Sequence, residues 1–168
     1  MFTFLLAAVS LPAMADVETG LSAGYGITSA SSGGSPEDGL FAGGRVGLAV
    51  SNPLQIDLQV SRYSASSGGL ATTQIVAGAG ARFYLADAEL RPFVSGHINH
   101  HFEARIEGGG ESVALPSSGG LGVQAGVGLQ QDISPTLYAD ARVTFAKQLL
   151  GSMTFAHGAV SLGVGLRL

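Results

Sequence analysis

A cluster of residues that could bind a metal or transfer a proton lies within one short stretch, residues 97–103. Four of them are spaced two apart, so in a β-strand they project from one face, whereas His100 projects from the other. Side chains on that face stand about 7 Å apart, so His101 with one neighbour can hold a metal only if other strands supply further ligands. The four residues are His97, Asn99, His101 and Glu103.

The same cluster fits a second interpretation, a buried polar network in which these side chains bond to Arg82, Arg105 or Tyr63. Polar groups that face away from water need partners inside the protein. We favour the network, so the sequence predicts neither a metal site nor a cofactor.

The elements that carry these residues are predicted by an alternation of apolar and polar side chains that begins at Val17. Apolar residues at every second position are typical of a β-strand with one apolar face. The pattern recurs eight times before Leu168, with separators that are alternately long and short. It predicts an all-β fold, an eight-stranded antiparallel up-and-down transmembrane β-barrel. In the first strand Glu18 lies on the polar face, and the apolar face comprises Val17, Leu21, Ala23, Tyr25 and Ile27.

The composition indicates that much of the surface does not face water. The chain has 168 residues, enough for one domain, and 26 of them are glycine, but only 12% are charged. A soluble domain carries roughly 25–35% charged residues on its surface. The net charge of -4 provides no basic patch for nucleic acid, and the lack of cysteine excludes disulfides and thiolate metal sites.

The chain divides into two predicted parts. Residues 1–15 carry an apolar run that ends in Ala13-Met14-Ala15, where the small residues suit cleavage by signal peptidase. We therefore predict a signal peptide over 1–15 and an outer-membrane barrel domain over 16–168. No later segment has the roughly 18 continuous apolar residues of a membrane helix.

Turn residues predict where the strands end. The fifth strand, Leu90–Ile106, is predicted to be the longest. In outer-membrane barrels the turns are short on the periplasmic side and long outside, so both termini are expected in the periplasm. Asn52, Asp87 and Asp132 should then mark the periplasmic rim. Long loops are predicted at 30–39, 64–72, 107–119 and 147–153, and short turns at 51–53, 86–89 and 132–135.

The polar face decides between a membrane barrel and a soluble, lipocalin-like carrier. In water this face should be rich in Lys and Glu, yet it is mostly Gly, Ser, Gln and Tyr with isolated charges. Small residues beside large ones fill the interior of a small barrel, so we predict a filled lumen and no open general porin. The predicted polar network comprises Arg45, Asp57, Arg82, Arg91, His97, His101, Glu103, Asp140, Arg142 and Arg167.

Paired charges should hold this network together, for example Arg45 with Asp57 on the neighbouring strand. Arg45→Ala is therefore expected to lower the unfolding temperature and to raise ion leakage. Among charged residues only Arg62, at a strand end, is predicted to point outward, where it costs about 0–1 kcal/mol. Two aromatic girdles are predicted on the outer face, formed by Tyr25, Phe83, Phe102 and Phe145.

With its predicted signal peptide and eight alternating strands, the chain resembles the small outer-membrane barrel families that include the OmpA transmembrane domain and OmpX. The resemblance covers Asp16 to Leu168. It implies a monomer in the outer membrane of a Gram-negative bacterium, in contact with outer-membrane lipids and lipopolysaccharide. The last strand, Ala159 to Leu168, is similar to the C-terminal signal read by the barrel assembly machinery, although Leu168 stands where the family usually has Phe.

The resemblance implies a structural or surface-interaction role, in adhesion or envelope integrity. Some eight-stranded barrels modify lipid A with a histidine, a serine and an acidic residue, and Ser95, Ser161 and His157 are available here. However, the serine that a deacylase has two residues after its histidine is missing at Asn99, so we favour a non-enzyme and assign no catalytic residue. An extracellular ligand, or lipopolysaccharide bridged by divalent cations, would meet the acids Glu37, Asp38, Glu107 and Glu111 in the loops.

Overall fold

The structure is a computed structural model that describes residues 16–30, 37–67, 70–102, 104–108, 111–114, 119–151 and 154–168. Within these ranges no helix has the length and apolar character needed to cross a membrane. The strands are β1 (Val17–Ala30), β2 (Glu37–Ser51), β3 (Leu54–Ser67), β4 (Leu70–Tyr84), β5 (Leu90–His101), β6 (Arg105–Gly108), β7 (Glu111–Ala114), β8 (Gly120–Asp132), β9 (Leu137–Gln148) and β10 (Phe155–Arg167).

Eight of these strands close into an antiparallel barrel. β1 to β5 pair in chain order, β5 pairs with β8, and β9 and β10 follow. β10 then pairs with β1, so the barrel has no open edge. β6 and β7 form a hairpin in which β6 pairs with the first residues of β4. The predicted fold class is confirmed.

The alternation along the strands separates the two faces of the barrel wall. Apolar side chains on the outside are exposed, with Leu21 at 72% and Ile98 at 70%. Polar side chains on the inside are buried, with Arg82 and Asp57 at 1% and Gln130 at 0%. A soluble barrel buries its apolar side chains, so this arrangement does not favour a lipocalin-like carrier.

The two ends of the barrel differ in their connections. Val17 and Leu168 lie at one end, which we call the terminal end, and the amide of Leu168 donates to the carbonyl of Val17 at 2.8 Å. Asn52 donates to Asp87 at 2.7 Å and links two turns there. The connections at the terminal end are short and comprise residues 52–53, 85–89 and 133–136. The opposite end, where β1, β3, β5 and β9 finish, is the loop end.

The second long loop is shorter than the predicted range 64–72, so the predicted extent is wrong. β3 and β4 stay paired as far as Ser67 and Leu70. The serine and threonine content of this stretch predicted a loop, but cross-strand pairing extends the hairpin. The hydroxyls of Ser64 and Thr73, which lie 3.3 Å apart, form one such cross-strand pair.

The fifth strand was predicted to run from Leu90 to Ile106. This prediction is wrong beyond His101, where β5 ends. Between the pair Val76–His101 and the pair Thr73–Arg105, β4 advances three residues while the opposite chain advances four. The extra residue is a β-bulge, and it reverses the inward and outward alternation in β6, the segment that follows it.

Because of the bulge, the predicted position of Arg105 is wrong. The sequence pattern placed this side chain in the lumen, but it is exposed and paired with Thr73 on the outer face of the wall. Glu103, which belongs to the predicted network, lies outside the described residues. The hairpin of β6 and β7 occupies part of the third predicted loop, 107–119.

Candidate functional site

The polar side chains inside the barrel form two layers of different chemistry. The ionic layer lies toward the terminal end, and the histidine layer lies toward the loop end. The ionic layer comprises Glu18, Arg45, Asp57, Arg82, Tyr84, Arg91, Gln130, Asp132, Tyr138 and Arg167. The histidine layer comprises Phe41, Tyr63, Gln74, His101, Phe155 and His157.

Arg45 is the most highly connected cation of the ionic layer and is 5% exposed. Its Nη2 lies 3.2 Å from Glu18 Oε2, and its Nη1 lies 3.5 Å from Asp57 Oδ1. Nη2 also donates to Tyr138 Oη at 2.8 Å. The structure therefore brings Arg45 and Asp57 together and adds a second carboxylate to the pair.

Glu18 is a buried carboxylate that the predicted network omits, although alternation places it on the polar face of β1. It lies 3.1 Å from Arg167 on β10 and 3.6 Å from Arg91 on β5, in addition to its contact with Arg45. Three guanidinium groups around one buried carboxylate offset the cost of removing it from water. The sequence could have indicated this role, because Glu18 is an acidic residue at an inward position and several arginines are also predicted to point inward.

Asp57 joins Arg45 to the next cation along the wall. Its Oδ2 lies 3.5 Å from Arg82 Nε and 3.8 Å from His97 Nε2. The Arg82 guanidinium also stacks over the ring of Phe93, 4.0 Å from its centroid. His97 is thus placed beside a carboxylate in the ionic layer, away from His101.

Uncharged side chains complete the ionic layer, and the predicted network names none of them. Gln130 Oε1 accepts from Tyr84 Oη at 2.9 Å and from Arg82 Nη1 at 3.2 Å. Its amide nitrogen donates to Glu18 Oε1 at 3.4 Å. Neutral amides carry no charge pattern in a sequence, so only their inward position could have indicated this role.

The remaining predicted charges lie at the edges of the ionic layer. Asp132, expected at a turn, accepts from Arg91 at 3.1 Å and from Arg167 at 3.0 Å, and these contacts are partly exposed. Asp140 and Arg142 share one face of β9 with 3.8 Å between Oδ1 and Nε. Arg142 also donates to Ser22.

Amides that bond to one another lie between the two layers, in the middle of the barrel. Gln124 Oε1 accepts from Gln59 at 2.9 Å and from Asn99 at 3.1 Å. Asn99 belongs to the predicted cluster of metal ligands. It is 1% exposed, and its side chain bonds to the Gln124 amide.

The histidine layer is built on one amide oxygen. Gln74 Oε1 lies 2.6 Å from His157 Nε2 and 3.2 Å from His101 Nδ1, so both rings can donate to it. The second nitrogen of His157 lies 3.0 Å from Thr28 Oγ1. Tyr63 stacks on the His157 ring with 4.2 Å between centroids. Both imidazoles are thus held in an aromatic stack.

This geometry bears on the hypotheses of a metal site and of catalysis. The rings of His101 and His157 lie nearly parallel, 13° apart, and the point that their nitrogens share is occupied by the amide oxygen of Gln74. Among the described residues no group of three His, Cys, Asp or Glu side chains could hold a metal ion. The two ring nitrogens of His157 face Gln74 and Thr28 rather than the candidate serines Ser95 and Ser161.

The aromatic residues predicted as girdles all lie exposed on the outer wall. Tyr25 is 53% exposed, Phe102 48% and Phe145 56%, and these three lie toward the loop end. Phe83 is 46% exposed and is paired with Leu54 near the terminal end.

Comparison with known proteins gives one family and a set of similar structures. A family model described as the outer membrane protein beta-barrel domain matches residues 1–167. No curated protein matches the chain. Neisserial surface protein A (NspA) superposes with a TM-score of 0.79 at 17% identity, covering 90% of this chain and 97% of that chain.

Two further structures share the fold at similar identity. The N-terminal β-barrel domain of Pseudomonas aeruginosa OprF has a TM-score of 0.59 at 16% identity, covering 90% of this chain and 97% of that chain. Ail, the attachment invasion locus protein of Yersinia pestis, was solved in complex with the heparin analogue sucrose octasulfate. It has a TM-score of 0.56 at 16% identity, covering 90% of this chain and 99% of that chain.

Proposed function

Because the chain belongs to the outer membrane protein beta-barrel domain family, we propose that it is a structural or surface-interaction protein of the bacterial outer membrane. Its lumen is filled by side chains, so it is not an open general porin, and we assign it no enzymatic activity. The proposal is supported most directly by the way in which the ionic layer crosses the lumen.

In the ionic layer, side chains from opposite walls meet. Arg45 on β2 donates to Gln130 on β8 at 3.5 Å, and Arg91 on β5 lies 3.6 Å from Glu18 on β1. Arg45 also donates to Tyr138 on β9. Tyr138 continues to the carbonyl of Thr19 at 2.8 Å. An eight-stranded barrel is only wide enough for side chains to fill it, so bonds across its cross-section leave no continuous water path.

We expect the purified, refolded protein to show no stable conductance steps in a planar lipid bilayer. Tyr138→Ala, which removes a buried ring from the ionic layer, should produce measurable ion flux, whereas Tyr25→Ala on the outer wall should not. Large, voltage-stable steps from the unmodified protein would refute the filled lumen.

The surface role is supported by the similar structures and by the loop end. Two of those structures are called a surface protein and an attachment invasion locus protein. At the loop end of this chain the carboxylates of Asp38, Glu107 and Glu111 are exposed. Function on a rigid scaffold usually resides in such connecting segments. A cell-adhesion assay that compares the intact chain with loop-trimmed variants tests this role.

The terminal end is proposed to face the periplasm, with residues 1–15 removed as a signal peptide and β10 read by the barrel assembly machinery. The chain has no cysteine, so a single introduced cysteine reports its own position. In intact cells a membrane-impermeant maleimide should label Leu150→Cys at the loop end, and should label Glu89→Cys only after the outer membrane is opened. The opposite labelling pattern would invert the orientation.

A further inference from the structure

The β-bulge after His101 places Arg105 on the outer wall of the barrel. Directly paired residues project from the same face of a sheet, and Arg105 is paired with Thr73. Thr73 Oγ1 accepts from Arg62 Nη2 at 3.4 Å, and Arg62 is itself exposed on the outer wall. Without the extra residue Arg105 would point into the lumen, so the bulge re-aims a cation.

Arg62 and Arg105 flank two hydroxyls at the loop end of the wall. Ser64 is paired with Thr73, and their side-chain oxygens lie 3.3 Å apart. Thr73 is 8% exposed, and its hydroxyl holds Arg62 and Ser64 in place. The two guanidinium groups present the forked N–H donors that match phosphate oxygens. We call these four residues, Arg62, Ser64, Thr73 and Arg105, the rim cluster.

The wall that adjoins the rim cluster is apolar. Ile75, the partner of Arg62, is 45% exposed, and Leu40, the partner of Ser64, is 69% exposed. Phe102 is 48% exposed, and its amide bonds to the carbonyl of Ile75 at 2.9 Å. A ligand with an anionic head and hydrocarbon chains would place the head on the rim cluster and the chains along this wall.

Other charged groups near the rim cluster set the balance of its potential. Glu107 is exposed and follows Arg105 by two residues on the same face, one step further toward the loop. Asp38 on β2 accepts a hydrogen bond from Tyr25 and so faces β1. Lys147 is exposed on β9, which lies opposite β3 in the strand order, so it cannot join the cluster.

We propose that the rim cluster binds the phosphate of a phosphorylated outer-leaflet lipid of the lipopolysaccharide class, directly through Arg62 and Arg105. This inference depends on the proposed membrane orientation, which puts the loop end at the outer leaflet. Direct contact differs from a bridge by divalent cations between carboxylates and phosphate, because it needs no metal ion.

The test uses the full chain refolded in detergent micelles, with diphosphorylated lipid A and the same lipid without its phosphates as probes. Retention of each probe is measured by native mass spectrometry with and without EDTA. We expect the protein to retain the phosphorylated probe in EDTA, and the variant Arg62→Gln/Arg105→Gln to bind it about tenfold more weakly. Glu107→Gln should bind it more tightly, and Lys147→Gln should match the unmodified protein.

Equal retention of the two probes, loss of retention in EDTA, or an equal effect of Lys147→Gln would overturn the proposal. The mobility of each variant in gels before and after heating shows whether it has folded, and Arg62→Gln alone replaces the double variant if that one fails to fold. Conductance and cysteine labelling do not involve the rim cluster. They therefore separate failure of this site from failure of the proposed function.

Discussion

Arg45→Ala should lower the free energy of unfolding by about 3–5 kcal/mol, the usual cost of removing one partner from a buried ion pair. The substitution removes the guanidinium that bridges Glu18 and Asp57, so that Glu18 keeps Arg167 and Asp57 keeps Arg82 but the two carboxylates lose their shared partner. It also removes the donor to Tyr138 Oη. Urea or guanidinium unfolding in lipid vesicles, followed by mobility in unheated gels, measures the loss.

The matched control is Lys147→Ala, which removes a cation from the exposed outer wall and should change stability by no more than about 0.5 kcal/mol. The double variant Arg45→Ala/Glu18→Gln should be less destabilised than the sum of the single variants, because the two charges interact. Strict additivity, or a loss for Arg45→Ala no larger than that for Lys147→Ala, would contradict the ionic layer as a source of stability.

Gly128→Val should destabilise the barrel by about 3 kcal/mol, at the upper end of the usual range for overpacking. A Cβ at Gly128 would lie 2.5 Å from Phe93 Cζ and 2.6 Å from the carbonyl oxygen of Ala141. The backbone carbonyl is held in the β8–β9 pairing, and the Phe93 ring is held beneath Arg82. Neither neighbour can move aside at low cost.

Gly96→Val is the control, because Gly96 points outward and a Cβ there meets nothing within 4 Å. In a strand exposed to lipid, valine should be neutral or stabilising by up to about 1 kcal/mol. The two glycines lie on neighbouring strands, so denaturant unfolding of both variants compares the two faces of one wall. Similar losses at both positions would mean that the lumen has room at Gly128.

The period-two pattern was sufficient to predict the barrel and the inward position of Arg45, because one residue in two must face the lipid. The pattern could not show which inward groups meet across the lumen, since Glu18 and Gln130 are far apart in sequence from their partners. Alternation also assumes unbroken strands. A single extra residue before Arg105 was enough to reverse its direction.

The loops were harder to predict, for a different physical reason. Ser64 and Thr73 are turn-forming residue types, but here they pair across a hairpin in which their hydroxyls bond to each other. Residue type reports local preference, whereas pairing between strands depends on what lies opposite. The extent of the hairpin therefore follows from tertiary contacts that composition does not encode.

Inward charge is spread over the entire circumference of the barrel, and this has a consequence for the accuracy of folding. Each barrel strand carries at least one such residue, so a strand that pairs one residue out of step turns a charge toward lipid. For an arginine near the bilayer midplane that error costs about 2–4 kcal/mol. The inward charges thus favour the correct register of each strand, because a shift by one residue is energetically unfavourable. In order from β1 to β10 they are Glu18, Arg45, Asp57, Arg82, Arg91, Asp132, Arg142 and Arg167.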